Sequence, residues 1–297
     1  MEDLLVLPFD HRASLLAKLF GVKGREATAE EAQKYADLKK MVYEGFLKSL
    51  EKGVPKEKAA ILVDEQFGSW ILKDAKKRGI MTATPFEKSG QQEFDFENPD
   101  FAGQAERIKP TFMKVLVRYN PKGDKGLNKR QLERLKKISD YSKKNGKKFL
   151  FELLVPPEAK QLQELGGEQA KYDSQLRPKL MVEAIKQIQD FGVEPDVWKL
   201  EGVERVDDSK ALVTACHRGG RISGIITLGR GENSEKVKEW LKVGAKVKGI
   251  IGFAVGRTVF WEPMRDLHDG GISREEAIER VKDNYKTLVD LWNSERH

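Results

Sequence analysis

Apolar residues gather into short runs bounded by turn residues: LLVLPFD (4–10), AILVDEQ (60–66), IMTATPFEK (80–88), FMKVLVRY (112–119), KFLFELLV (148–155), DVWKLEG (196–202), SGIITLGRG (223–231) and GIIGFAVGR (249–257). Runs of this length, bounded in this way, predict strands. Between them the apolar positions recur with a helical period, predicting helices over 28–52, 68–78, 100–109, 128–145, 176–191, 205–219, 233–244 and, closing the chain, 273–294. Strands alternating with helices imply parallel pairing through right-handed crossovers. The strands are almost continuously apolar, which suits burial on both faces. The pattern therefore predicts an α/β fold, a (β/α)8 TIM barrel that takes up residues 1–297 as one domain. A doubly wound open sheet is the rival, weakened because no GxGxxG turn follows the first strand. Three connections, 10–27, 87–103 and 156–175, are long for this fold and read as lids or binding loops, with disorder as the alternative.

Composition narrows the partners. With 39% hydrophobic and 34% charged residues the chain can build both a core and a solvated surface. The net charge is +7, but lysines and acids interleave along the helices, as in KYADLKKMVYEGFLKSLEKG, so no nucleic-acid partner is expected. A positive excess instead draws in phosphorylated anions. No run of 18 apolar residues occurs and the acidic start MEDLLVLPFD lacks a basic leader, so neither a membrane span nor a signal peptide is expected. The single cysteine, Cys216, rules out an internal disulfide and suits a reducing cytoplasm. His217 and His268 fall in or near helices and His297 is terminal, so no metal site and no cofactor are expected. The aromatic segment FAVGRTVFWEPM and the helix ending VDLW offer surfaces for a homo-oligomer.

Charges inside strands carry the chemistry. Side chains alternate along a strand, so Val197, Lys199 and Glu201 share one face of the sixth run and Trp198 and Leu200 the other. The aromatic face suits helices, which turns Lys199 into the barrel. By the same alternation Glu152 points inward between Leu150 and Leu154, and Lys114 does so between Phe112 and Leu116. Burying an unpaired charge costs several kcal/mol, so such groups are paired, neutralised or functional. One reading is a Lys–Glu pair filling polar space. The other is a lysine whose neutral amine, favoured by a second ammonium nearby, attacks a carbonyl to form a Schiff base while a carboxyl group moves protons.

The last two strands end in LGRG (228–231) and VGR (255–257), where Gly229 and Gly256 allow close backbone approach and Arg230 and Arg257 can fork onto phosphate. The helix after ENS would present its N-terminus there. No GxxxxGK[ST] loop occurs. Polar residues recur at other strand ends: Asp10, His11 and Arg12; Asp64, Glu65 and Gln66; Glu87, Lys88 and Gln91; Arg118 and Asn120. Singly each is an ordinary cap or loop residue, whereas their recurrence describes a catalytic rim.

The segments PFDHR, VDEQFG, EKSGQ, KVLVRYNPKGD, FLFELLVP, EPDVWKLEG, LGRG and IGFAVGRTVFW together resemble the DUF2090-type aldolase domain that follows the sugar kinase domain in bifunctional bacterial proteins of inositol catabolism. Those are described as 5-dehydro-2-deoxygluconokinase/5-dehydro-2-deoxyphosphogluconate aldolases. More distantly the chain is similar to class I tagatose-bisphosphate aldolases. The resemblance implies cleavage of 2-deoxy-5-keto-gluconate 6-phosphate to dihydroxyacetone phosphate and malonate semialdehyde. It assigns Lys199 as the Schiff-base residue, Glu152 as acid/base, and Lys114 and Asp10 as supporting groups. Arg257, with backbone at Gly229 and Gly256 and help from Arg230, would hold the phosphate. From the rim residues, Glu65, Lys88 and Arg118 are expected to take part in substrate binding. With no kinase domain before residue 1, a free-standing aldolase is expected. The alternatives are a class I aldolase for a hexose bisphosphate or a sulfosugar phosphate, and a non-catalytic barrel that binds a phosphosugar.

Overall fold

All eight apolar runs form strands: β1 (Leu4–Pro8), β2 (Ala59–Leu62), β3 (Met81–Pro85), β4 (Phe112–Arg118), β5 (Lys148–Leu154), β6 (Val197–Glu201), β7 (Gly224–Leu228) and β8 (Ile250–Ala254). Each pairs in parallel with the next, and β8 closes onto β1, giving a closed barrel in sequence order. The structure is a computed structural model and describes residues 2–296, so His297 lies outside the described residues.

The helices are α1 (Ala13–Phe20), α2 (Ala29–Glu51), α3 (Glu65–Lys77), α4 (Phe101–Ile108), α5 (Lys125–Lys144), α6 (Ala159–Glu164), α7 (Gln169–Lys171), α8 (Arg177–Asp190), α9 (Val206–Cys216), α10 (Ser234–Ala245), α11 (Arg257–His268) and α12 (Arg274–Glu295). A π-helical turn, Tyr172–Leu176, joins α7 to α8. Side-chain caps set several starts: Thr28 and Glu31 form a capping box on α2, while Asp64, Asp124, Asn233 and Ser273 accept first-turn amides on α3, α5, α10 and α12.

Two helices depart from the sequence reading. The run expected to be strand through 257 leaves the sheet at Ala254, and α11 begins at Arg257 despite an interior proline, Pro263, which reads as a helix breaker. Inside the 10–27 connection, α1 buries Leu15 and Leu16 and ends at Gly21, whose φ of 65° suits glycine. The connection between β5 and α8 is likewise structured by α6, α7 and the π turn.

Alternation along the strands separates two cores. Leu4, Val6, Leu62, Phe112, Leu150, Val197 and Ile226 fill the barrel interior. Phe149, Phe151, Trp198 and Leu200 face outward into the layer beneath the helices. The ring closes where α2 meets α12: a Cβ on Gly45 would collide with Val281, so glycine lets the two helices approach. No helix among the described residues is long and apolar enough to cross a membrane.

Candidate active site

The apolar interior stops about halfway up the barrel, and the next residues on the same strand faces are charged. Lys199 follows Val197 on β6, Glu152 follows Leu150 on β5, and Lys114 follows Phe112 on β4. Glu152 and Lys199 are register partners on adjacent strands, so their side chains meet. Above them opens a cavity of about 340 Å³ at the carboxyl ends of the strands, lined among others by Asp10, Glu87, Lys114, Glu152, Lys199 and Arg257.

These groups form one ion network. Lys199 Nζ lies 2.8 Å from Glu152 Oε2, and Lys114 Nζ lies 3.0 Å from the same oxygen. Lys114 also donates to Asp10 at 2.9 Å and to Glu87 Oε1 at 2.6 Å. Lys114 is 1% exposed and Lys199 4%. Burial alone would lower the Lys114 ammonium, but Asp10, Glu152 and Glu87 outweigh it and hold Lys114 above its ordinary value. Burial pushes the carboxyls of Asp10 and Glu152 upward, and the ammoniums of Lys114 and Lys199 reverse this, leaving both below the usual carboxylate range. For Glu87 burial wins and its carboxyl is raised.

Next to this network lies a second one built on guanidinium groups. Arg230 Nη1 donates to Asp173 at 2.6 Å and its Nε lies 3.3 Å from Glu201. Arg177, buried under β6, bonds Asp173 at 3.0 Å and the Gly202 carbonyl at 3.0 Å. Glu201 also accepts from the Val155 amide at 2.9 Å. Arg230 therefore lines the cavity while engaged by two carboxylates. Its backbone is left-handed, φ 53°, a strained conformation for a non-glycine residue.

Arg257 differs. Its guanidinium donates to the Arg230 carbonyl at 2.6 Å, and no carboxylate of the described residues reaches it as a salt-bridge partner. Burial pushes it down, countered only by the more remote Glu152 and Glu232. Gly231, φ 84°, lies against this guanidinium so closely that a Cβ there would overlap it. The LGRG turn therefore serves to seat Arg257. Gly256 packs on the Pro8 carbonyl, leaves no room for a side chain, and starts α11 without a side-chain cap. Gly229 lines the cavity beside it. The helix N-terminus at the cavity is thus that of α11; the start of α10 after ENS is capped by Asn233 instead.

The remaining rim candidates part company. Arg118 lines the cavity and donates to the Gln91 carbonyl at 2.6 Å, with no salt-bridge partner among the described residues. Lys88 also lines it but pairs with Asp95 at 2.6 Å in solvent. Glu65 lies away from the cavity: at the first turn of α3 it forks onto Arg107 at 2.9 and 3.0 Å. His11 lines the cavity, packs edge-on against Phe260, and has a buried Nδ1 without a partner; burial outweighs Asp10 and holds its imidazole at about 4. Asp64 caps α3 and forms a buried ion pair with Lys39, outside the cavity.

Sequence reasoning placed Glu87 on the rim without giving it a part in the lysine network. Alternation from Ala83 and Pro85 would have turned it inward. Asp173 and Arg177 carry no comparable signal, because they sit on a π turn and the helix after it. Among the described residues no group of three or more His, Cys, Asp or Glu side chains is arranged to hold a metal ion.

Solved structures share the architecture. An archaeal fructose 1,6-bisphosphate aldolase matches with a TM-score of 0.60 at 10% identity, covering 98% of this chain and 94% of its own. A Schiff base forming fructose-1,6-bisphosphate aldolase gives 0.57 at 12% identity, over 97% and 94% of the two chains. A protein of Corynebacterium glutamicum gives 0.58 at 15% identity, over 97% and 85%. At these identities the likeness establishes the fold. No curated protein matches the chain. A family profile spans residues 1–296, and the chain belongs to that family, described as an uncharacterized protein conserved in bacteria, DUF2090.

Proposed function

We propose that the protein is a class I aldolase that cleaves a phosphorylated keto sugar through a Schiff base on Lys199. The observation that carries this reading is a buried lysine at the floor of a cavity, 2.8 Å from a carboxylate able to take and return its proton. The likeness in fold to two aldolases, one of them Schiff base forming, supports it.

The geometry suits the following sequence. Lys199 passes a proton to Glu152, and the free amine attacks the substrate ketone. Glu152 returns the proton to the departing hydroxyl, which leaves as water, and an iminium remains. The carboxylate of Glu152 then accepts the proton of the hydroxyl one carbon beyond the bond to be broken. That carbon–carbon bond breaks, an aldehyde departs, and the electron pair is held as an enamine on Lys199. Glu152 protonates the enamine carbon, and water releases the ketone product and restores the lysine ammonium. Protons balance over the cycle. Lys114, fixed as a cation by three carboxylates, holds Glu152 and Asp10 in place and favours their ionised forms.

Two cavity-lining guanidinium groups without a carboxylate partner among the described residues suit the two ends of the substrate. Arg257 follows β8 and Arg118 ends β4, and in a ring of eight strands these stand opposite each other with β6 between them. Arg257 and the start of α11 suit the phosphate, and Arg118 suits a second acidic group. A keto sugar acid phosphate such as 2-deoxy-5-keto-gluconate 6-phosphate has both, and would give dihydroxyacetone phosphate and malonate semialdehyde. A ketose bisphosphate or a sulfosugar phosphate satisfies the same two cations. Turnover of a panel of these compounds beside unphosphorylated ketoses tests the proposal. Release of a ketose phosphate from at least one doubly acidic substrate, and from no unphosphorylated one, is expected; cleavage of none of them would refute it.

A further inference from the structure

The lysine network contains one carboxylate too many. Asp10, Glu87 and Glu152 face Lys114 at 2.9, 2.6 and 3.0 Å, and among the described residues Lys199 supplies the only other cation in direct contact. If every group were ionised, a net negative charge would be buried at the floor of the cavity, at a cost of several kcal/mol. One proton removes it. The three carboxylates differ in how they are satisfied: Glu152 Oε2 contacts two ammonium groups, whereas Glu87 receives Lys114 on Oε1 and its Oε2 is buried without a partner among the described residues. A buried bare carboxylate oxygen is costly, and a hydroxyl in the same place is far less so.

We propose that Glu87 is a carboxylic acid in the resting protein, carrying its proton on Oε2, and that it positions Lys114 while keeping the Asp10, Lys114, Glu152, Lys199 cluster neutral. The charge count extends through the proposed reaction, on which the catalytic part of this inference rests. Resting ammonium and iminium both leave Lys199 positive with Glu152 ionised, while the enamine leaves Lys199 neutral with Glu152 protonated. With Glu87 protonated the cluster is neutral at each of these stages, so no buried charge is created as the carbon–carbon bond breaks. With Glu87 ionised it is negative throughout, a charge that would hold the Lys199 proton in place and oppose attack.

The surroundings of Glu87 are consistent with this assignment. Lys114 on β4 is its one direct cation among the described residues. Arg12 beyond β1 bonds the Glu87 backbone carbonyl at 2.8 Å and pairs with Glu97 at 3.1 Å; with Lys114 its charge lowers the Glu87 carboxyl, but burial raises it more. Asp10 from β1 and Glu152 from β5 share Lys114 and repel a third anion, and Lys88, next in sequence, turns outward to Asp95. Burial raises the Glu87 carboxyl while Asp10 and Glu152 are lowered, so the proton goes to Glu87.

Infrared difference spectra of the full chain at neutral pH, wild type against Glu87→Gln, test the protonation without any turnover. The carbonyl band of a protonated carboxyl group, shifted in heavy water, should be present in the wild type and missing from the variant. Loss of an ionised carboxylate band instead would overturn the assignment. The positioning role is read by borohydride trapping with dihydroxyacetone phosphate: Gln keeps the shape and neutrality of the acid and should restore about tenfold of the adduct rate that Glu87→Ala loses, tenfold being about 1.4 kcal/mol. Equal losses in the two variants would overturn it. No adduct in any of the three proteins, together with the infrared band, would strike the aldolase reading and leave the protonation of Glu87 standing.

Discussion

Two buried ion networks stand side by side at the carboxyl ends of the strands, and they differ in the kind of cation. Around Glu152 the cations are the lysines Lys114 and Lys199. Around Glu201 and Asp173 they are the arginines Arg177 and Arg230. A guanidinium does not give up its proton in a protein, so the second network cannot exchange protons; it ties the β6 rim to the π turn and α8. An ammonium in contact with a carboxylate can exchange its proton, so the first network can do chemistry. Both are rich in ion pairs, the lysine network buried and the arginine network partly open at Arg230 and Asp173. What separates the two is whether the cation can give up its proton, for Arg230 borders the same cavity as Lys114 and Lys199.

Substitutions sharpen that contrast. The largest effect is expected from Lys199→Ala, which should lower turnover by on the order of 10⁴-fold or more with the fold intact, as circular dichroism and unfolding curves would show. Glu152→Gln should lower it by about 10²–10⁴-fold, the usual share of acid–base catalysis. In the arginine network the effect moves from rate to stability. Arg177→Met should cost about 3–5 kcal/mol in urea unfolding, because Asp173 and Glu201 lose a buried partner. A collapse of activity per folded molecule in that variant would break the distinction.

At the proposed phosphate end, Arg257→Ala should raise KM by roughly 10–100-fold with a smaller change in kcat, as expected for about 1.5–3 kcal/mol of charged hydrogen bonding. Gly231→Ala should move KM the same way by a smaller factor, since its Cβ displaces the Arg257 guanidinium. An effect on stability alone concerns pH. The His11 imidazole is lowered from 6.5 to about 4, so its neutral form is the folded one. Its contribution is fully present above 6.5 and is lost as pH falls toward 4, because the unfolded chain takes up the proton first. Unfolding curves of wild type and His11→Asn over that window should converge as the pH is lowered.

Much of this was legible in the sequence where a local rule applied. Period-2 alternation placed Lys199, Glu152 and Lys114 inside the barrel, and the closed sheet gives them contacts of 2.8 and 3.0 Å. The same rule would have turned Glu87 inward, but its pairing with Lys114 depends on the spatial order of β3 and β4. Arg230 illustrates the limit. Its partner Asp173 is 57 residues away on a π turn, so no spacing in the sequence foretells that the guanidinium is already occupied. For α11 the apolar run of β8 led on into the helix and Pro263 disguised it. Glu65 looked like a rim residue at a strand end, yet the helix starts there and turns its carboxylate toward Arg107.

The most direct measurement is borohydride reduction of the full chain with dihydroxyacetone phosphate, followed by peptide mass mapping. One stable adduct is expected, on the peptide that carries Lys199. An adduct on Lys114 or another lysine, or none from folded protein with the ligand shown to be bound, would contradict it.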